Sequence, residues 1–262
     1  MTEFYQKKSL GQHFLKDKNI VKKIVRVAEV DENESVWEIG PGKGILTEEL
    51  LETNCNLTCF EIDEELYPIL EDRFGNKIKL IKQDVLKANW KNLVSNEKIK
   101  IVANLPYQIT SPILFKIIEF SDSFSKITIM IQKEVAERIK SSPNTKQYGA
   151  LSLKMQFHFD IKYEFTVRPQ NFSPPPKVDS AVISLIPRKD KPNLENKSSF
   201  WQIVNVAFQN RRKMLRRNFR NLLNPEKIVL LQEKSGINLS KRAENLTEND
   251  FIQIYKSYLD LK

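Results

Sequence analysis

The sequence predicts an α/β fold, a Rossmann-like and mostly parallel sheet, with a small all-helical domain after it. Three observations predict this. Short apolar runs alternate with segments of helical periodicity between Ile20 and Lys140, the pattern of parallel strands joined by crossover helices. A glycine-rich turn, Gly40-Pro41-Gly42-Lys43-Gly44, follows the first apolar run. Beyond Pro187 the strand signals stop, and the chain reads as helical and basic.

Ile20 to Val30 has apolar residues at helical spacing (Ile20, Ile24, Val27), with Asp17 placed to cap the helix. Ser35 to Ile39 reads as a short buried strand and Ile45 to Leu51 as a helix. Asn56 to Ile62 is a second strand, Glu64 to Phe74 a helix and Ile78 to Ile81 a third strand. Ile99 to Ala103 and Ile127 to Ile131 are the fourth and fifth strands. Ile113 to Phe120 and Glu134 to Lys140 are helices. From Ala150 the rhythm changes. Leu151 to Phe159 and Ala181 to Ile186 read as further strands, joined through Phe172-Ser173-Pro174-Pro175-Pro176. Pro187 to Pro192 is polar and proline-flanked, as a linker is, and Phe200 to Leu261 reads as wholly helical. The expected domains are residues 1–187 and 188–262.

A chain of 262 residues, 40% hydrophobic and 29% charged, has the composition of an ordinary soluble protein able to bury a core. No apolar run approaches a membrane span. Met1 to Lys8 has lysines but no long apolar stretch behind it, so no secretory signal is expected. Cys55 and Cys59 are the only cysteines, and His13 and His158 the only histidines. Two thiols with no further soft ligands nearby argue against a zinc site. Two reduced thiols in a cytoplasmic protein is the plain reading. His158, in the alternating stretch Leu151 to Phe159, reads as structural, and Trp37, Trp90 and Trp201 have no special spacing and read as core or interface residues. Nothing demands an oligomer, and a monomer is the default expectation.

The charge balance, 42 Lys plus Arg against 33 Asp plus Glu, gives +9. Arg211, Arg212, Lys213, Arg216, Arg217 and Arg220 place six positive charges in ten residues with no acid among them. Phe208, Leu215, Phe219 and Leu222 recur there at helical spacing, so one face can bury while Arg212, Arg216 and Arg220 line another. A solvated helix face normally carries both signs. This one does not, which favours a polyanionic partner.

Asn104-Leu105-Pro106-Tyr107 follows directly on the fourth strand. An amide, a proline and an aromatic there can hold a planar, weakly nucleophilic amine. The lone pair of an exocyclic base amine is delocalised into its ring, so a site needs acceptors for its N–H bonds and a flat face more than a strong base. The Asn104 side-chain oxygen and a backbone carbonyl near Pro106 can be the acceptors, and Tyr107 the face. Taken alone, the four residues read first as a turn after a strand, and only the rest of the chain reverses this.

The glycine turn lets backbone approach a ligand closely and exposes N–H groups at a helix start. It is not the usual dinucleotide fingerprint, because the third glycine would fall on Ile45. Nor is it a phosphate loop. Glu61, about twenty residues on, is placed to accept from both hydroxyls of a ribose. Asp63 can equally cap the next helix. Asp84 can accept from an adenine amino group or be a surface turn aspartate. A ribose and an adenine without a phosphate loop fit S-adenosylmethionine better than NAD or ATP.

Several blocks, in order along almost the whole chain, resemble the dimethyladenosine transferase family that modifies small-subunit ribosomal RNA. They are Gly11-Gln12-His13-Phe14-Leu15, Glu38-Ile39-Gly40-Pro41-Gly42, Glu61-Ile62-Asp63 and Asn104-Leu105-Pro106-Tyr107. Downstream come Asn171-Phe172-Ser173-Pro174-Pro175-Pro176-Lys177-Val178-Asp179-Ser180 and Phe208-Gln209-Asn210-Arg211-Arg212-Lys213. The glycine block and Glu61 are common to many methyltransferases; the two downstream blocks are more specific. The resemblance implies a class I methyltransferase fold. It also implies transfer of two methyl groups to N6 of each of two adjacent adenines near the RNA 3′ end.

By that resemblance His13, Leu15, Gly40, Gly42, Glu61, Asp84 and Asn104 hold the methyl donor. Gly40 and its neighbours take the methionine part, Glu61 the ribose and Asp84 the adenine. Asn104, Leu105 and Pro106 receive the target N6, and Tyr107 and Phe172 sandwich a base splayed out of its stack. Stacking on an aromatic contributes about 1–3 kcal/mol per base. His13 stands where the family commonly has Asn, which predicts pH-dependent donor binding; a His13 that merely packs beside Phe14 predicts none. The expected partner is small-subunit RNA in a ribosome assembly intermediate. Two rivals are an erythromycin-resistance-type methylase of large-subunit RNA and a non-catalytic RNA- or DNA-binding factor on the same scaffold.

Overall fold

The computed structural model describes residues 12–94 and 97–261. Gly11 and the Met1 to Lys8 segment lie outside the described residues. In chain order the elements are β1 (Phe14–Leu15), α1 (Lys18–Ala28), β2 (Ser35–Ile39), α2 (Ile45–Leu51), β3 (Asn56–Glu61), α3 (Tyr67–Phe74) and β4 (Ile78–Lys82). Then follow α4 (Trp90–Leu93), β5 (Ile99–Asn104), α5 (Thr110–Glu119), β6 (Phe124–Gln132), α6 (Lys133–Lys140), α7 (Ala150–His158) and β7 (Phe159–Val167). The last are β8 (Phe172–Ser173), β9 (Ser180–Pro187), α8 (Lys197–Phe208), α9 (Leu215–Asn218), α10 (Pro225–Ser235) and α11 (Glu248–Leu259). No helix among the described residues is long and apolar enough to cross a membrane.

Seven strands form one sheet in the order β4-β3-β2-β5-β6-β9-β7. Neighbours from β4 to β6 pair in parallel, and β9 runs antiparallel between β6 and β7. The strand order reverses between β2 and β5, where open α/β sheets bind ligands beyond the strand ends. Register places Trp37 beside Ile101 and Glu38 beside Val102. The glycine loop after β2 and Asn104 at the end of β5 therefore emerge side by side. Both faces of these central strands are buried, which is why they read as largely apolar runs, interrupted only by Glu38 in β2 and Lys100 in β5. A separate two-stranded pairing joins β1 to β8, with Leu15 opposite Phe172.

The chain divides into two compact units, one running to Ala136 with His158–Arg188 and the other comprising Glu137–Phe157 with Lys189 onward. Residues 137–157, which the sequence places within the first domain, fall in the second unit. They belong to the second because Tyr148, Leu153 and Phe157 are buried in the same cluster as Phe200, Phe208 and Phe251.

Of the stretch Leu151 to Phe159, expected to be a strand, residues up to His158 lie in the helix α7 and only Phe159 is in a strand, β7. No residue of α7 is exposed, so it has no polar face to generate a helical period. Its apolar residues Leu151, Leu153, Met155 and Phe157 alternate instead.

Candidate active site

Every residue assigned from the sequence to the methyl donor or the target base borders a single cavity of about 650 Å³. That volume lies within the range of small-molecule sites. All of its lining comes from the first unit.

The glycine loop forms one wall. Gly40, Gly42 and Gly44 have φ of +70°, +59° and +81°, a region that disfavours any side chain. A Cβ on Gly42 would also lie 2.8 Å from a ring carbon of Phe14, so the loop and the strand β1 fit only without one. Gly42 N donates to Glu61 Oε2 at 3.2 Å, while Glu61 Oε1 accepts from Ile62 N and Asp63 N at 2.9 Å. Burial pushes the Glu61 carboxyl upward, opposed by these three amides. The carboxylate thus ties the loop to the end of β3 at the cavity edge. Asp63 does act as a cap, accepting from Glu65 N at 3.3 Å, and its other oxygen takes Gln12 Nε2 at 2.7 Å.

Glu38 also borders the cavity, and sequence reasoning assigned it no role of its own. Its Oε2 accepts from Thr47 Oγ1 on α2 at 2.7 Å, with Cys59 Sγ at 3.6 Å. It is 1% exposed, and burial pushes its carboxyl up to about 7. An acid inside an otherwise apolar strand was the available signal. At Asp84, Oδ1 accepts from Leu86 N at 2.9 Å, which leaves Oδ2 for a ligand.

Across the cavity, Asn104 Nδ2 donates to the backbone carbonyl of His13 at 3.3 Å. Leu105 is held by its own amide, which donates to Met130 O at 3.1 Å. The Pro106 carbonyl accepts from Ile109 N at 3.1 Å and Thr110 Oγ1 at 3.5 Å. Tyr107 shares a 2.7 Å hydrogen bond between its hydroxyl and Ser180 Oγ, and its ring centroid lies 5.6 Å from that of His13. His13 Nδ1 donates to the Pro174 carbonyl at 2.8 Å. A proton is therefore held on Nδ1, and the neutral ring has its lone pair on Nε2. Phe172 is buried in the core cluster with Leu15 and borders the cavity.

Over residues 3–260 the sequence matches the family described as ribosomal RNA adenine dimethylase. The chain belongs to that family.

Two relatives called ribosomal RNA small subunit methyltransferase A support the membership. The Lactobacillus helveticus protein is 41% identical over 96% of this chain and 90% of its own length. The Francisella tularensis subsp. novicida protein is 44% identical over 95% of each. Among solved structures, a dimethyladenosine transferase from Plasmodium falciparum superposes with a TM-score of 0.79 at 26% identity, covering 95% of this chain and 98% of that one. The 23S rRNA methyltransferase ErmE gives 0.70 at 24% identity, covering 93% and 98%. It shares the class I methyltransferase fold.

The basic segment of this dimethylase differs from its sequence reading. It is not one helix: α8 ends at Phe208, residues 209–214 form a turn, and α9 spans only Leu215–Asn218. Buried Asn218 makes the break by donating Nδ2 to Ala207 O at 2.7 Å and Asn210 O at 3.3 Å. Phe208, Leu215 and Phe219 are buried as expected. Arg212, Lys213, Arg216, Arg217 and Arg220 are exposed. Arg211 is exposed as well, but its guanidinium is engaged within the chain, donating Nη2 to the carbonyls of Lys146 at 2.6 Å and Tyr148 at 3.0 Å, with Glu244 at 3.5 Å.

Proposed function

We propose that this chain transfers methyl groups from S-adenosylmethionine to N6 of two adjacent adenines near the 3′ end of small-subunit ribosomal RNA, giving N6,N6-dimethyladenosine. The observation that carries the reading is the Asn104 amide, committed through Nδ2 to His13 O beside the glycine loop.

The donor fits the residues present. The side-chain-free loop at Gly40 and Gly42 admits its amino-acid part. Glu61 offers carboxylate lone pairs to the ribose, and Asp84 Oδ2 accepts from the adenine amino group. When bound, S-adenosylmethionine supplies a methyl group already activated on a cationic sulfonium. The protein's task is therefore alignment. With Nδ2 taken, Asn104 presents Oδ1 to one N6 hydrogen. The Pro106 carbonyl is occupied by Ile109 and Thr110, so the Leu105 carbonyl is the acceptor for the other. These two acceptors turn the amine lone pair out of the ring plane as charge develops on nitrogen.

Tyr107, fixed at its hydroxyl by Ser180, supplies the stacking face, with Phe172 opposite. The displaced proton leaves to solvent. After the first methylation only one N–H remains, and the space beside Asn104 and Phe172 must accept the methyl group.

The exposed cations from Arg212 to Arg220 bind RNA phosphates, and the protein acts as a monomer on the assembling small subunit. The place of action is the cytoplasm, where that substrate is. The small-subunit names of the 41–44% identical relatives favour this target over large-subunit RNA. Labelled donor offered with separate small and large subunits tests the choice. Label in small-subunit RNA supports it, and label confined to large-subunit RNA overturns it.

A further inference from the structure

Lys116, on α5, is used by none of the chemistry above. Its ammonium donates to three backbone carbonyls, Leu86 at 2.7 Å, Ala88 at 2.8 Å and Val85 at 3.0 Å. An ammonium has three N–H donors, so its capacity is filled. Val85 O also takes Trp90 Nε1 at 3.0 Å, and the ammonium lies 5.1 Å from the Trp90 ring centroid.

The turn that Lys116 grips begins at Asp84. Asp84 O accepts from Lys87 N and Ala88 N at 3.0 Å, and Asp84 Oδ1 accepts from Leu86 N at 2.9 Å. Residues 84–88 thus form one closed turn. Its amides point back at Asp84, and three of its carbonyls converge on one cation, as at the basic-capped end of a helix. The only member of that turn placed to meet a ligand through its side-chain charge is Asp84, on the cavity wall. Nothing in the sequence singles out the lysine inside Ile113 to Phe120, so the tie is visible only in the fold.

We propose that Lys116 is a positioning residue for Asp84: by clamping the turn after β4 it holds Asp84 Oδ2 where the adenine amino group of the methyl donor arrives, and so sets the site's selectivity for adenine. This rests on the reading of Asp84 as the adenine acceptor. It makes Lys116 a determinant of donor recognition at one remove.

The test compares S-adenosylhomocysteine with its 6-deamino analogue, in which purine replaces adenine, by titration calorimetry on the full-length protein. Wild type prefers the adenine compound by about tenfold or more, as a hydrogen bond to a carboxylate provides. Asp84→Ala and Lys116→Met each reduce the preference to about twofold or less, while kcat at saturating donor falls far less than donor affinity. Lys116→Gln, which keeps a side-chain donor, gives an intermediate preference and carries the test if Lys116→Met does not fold. A folded Lys116 variant with the full wild-type preference, beside an Asp84→Ala that has lost it, overturns the positioning role alone. If Asp84→Ala keeps the preference, the reading of Asp84 falls and the proposal with it.

Discussion

Asn104 Nδ2 and the His13 backbone carbonyl are joined at 3.3 Å across 91 residues of sequence. The orientation of the Asn104 amide is therefore set by the segment leading into β1. That segment is itself fixed by the His13 ring on Pro174 O. The acceptor that meets the target amine is aimed by residues far from its own strand.

Asn104→Ala removes one of two acceptors used as charge develops on nitrogen. Turnover should fall by about 10²–10³, with the Kd of the methyl donor changed by about threefold at most. Single-turnover kinetics and donor titration check this. Equal losses in both would assign Asn104 to donor binding instead.

Tyr107 has two separable parts. Tyr107→Phe deletes the hydrogen bond to Ser180 but keeps the stacking face, and should leave activity within about fivefold. Tyr107→Ala removes a contribution of about 1–3 kcal/mol per base and should weaken target RNA use by about tenfold or more. The ratio of kcat/KM between the two variants is the measurement.

Glu38 predicts a pH dependence of stability. Burial raises its carboxyl from an ordinary 4.5 to about 7. Between those values the folded protein keeps a proton that the unfolded chain has released, so stability falls as pH rises from about 4.5 to 7 and stays reduced above it. Glu38→Gln, which still accepts from Thr47, should raise Tm by about 5 °C at pH 8.5 and by much less at pH 5. Thermal unfolding across that range decides it; an equal gain at both pH values would mean that Glu38 is not the titrating group.

Much of this site is legible in the sequence because three parallel strands deliver it, β2 leading into Gly40 and β3 and β5 ending in Glu61 and Asn104, and a parallel sheet brings all strand ends to one edge. Burial of both sheet faces makes these strands largely apolar, and the glycine or polar residue that closes each one marks the edge. Glu38 escaped because it lies one residue inside a strand, where an acid is unexpected. Lys116 escaped because its partners are backbone carbonyls of a distant turn. α7 was misread because a helix covered on every side shows no amphipathic period. Around Arg211 the spacing of Phe208, Leu215 and Phe219 correctly marked burial. It could not reveal that Asn218 breaks the helix between them.

The six basic residues should separate in solution. Replacing Arg212, Arg216 and Arg220 with Ala should reduce the slope of log K against log[salt] for RNA by about 2–3. Arg211→Ala should leave that slope nearly unchanged and instead lower stability by about 1–2 kcal/mol, since its guanidinium bonds carbonyls of its own chain. Binding titrations at several salt concentrations, paired with denaturant unfolding, test both. A full unit of slope lost in Arg211→Ala would place it on the RNA.

The most direct test is nucleoside mass spectrometry of unmethylated small ribosomal subunits after incubation with S-adenosylmethionine and either the wild-type chain or Asn104→Ala. The account predicts N6,N6-dimethyladenosine at two adjacent adenines near the RNA 3′ end with wild type, and at most trace monomethylation with the variant. Absence of dimethyladenosine with a folded, RNA-binding wild type would contradict it, as would equal product from Asn104→Ala.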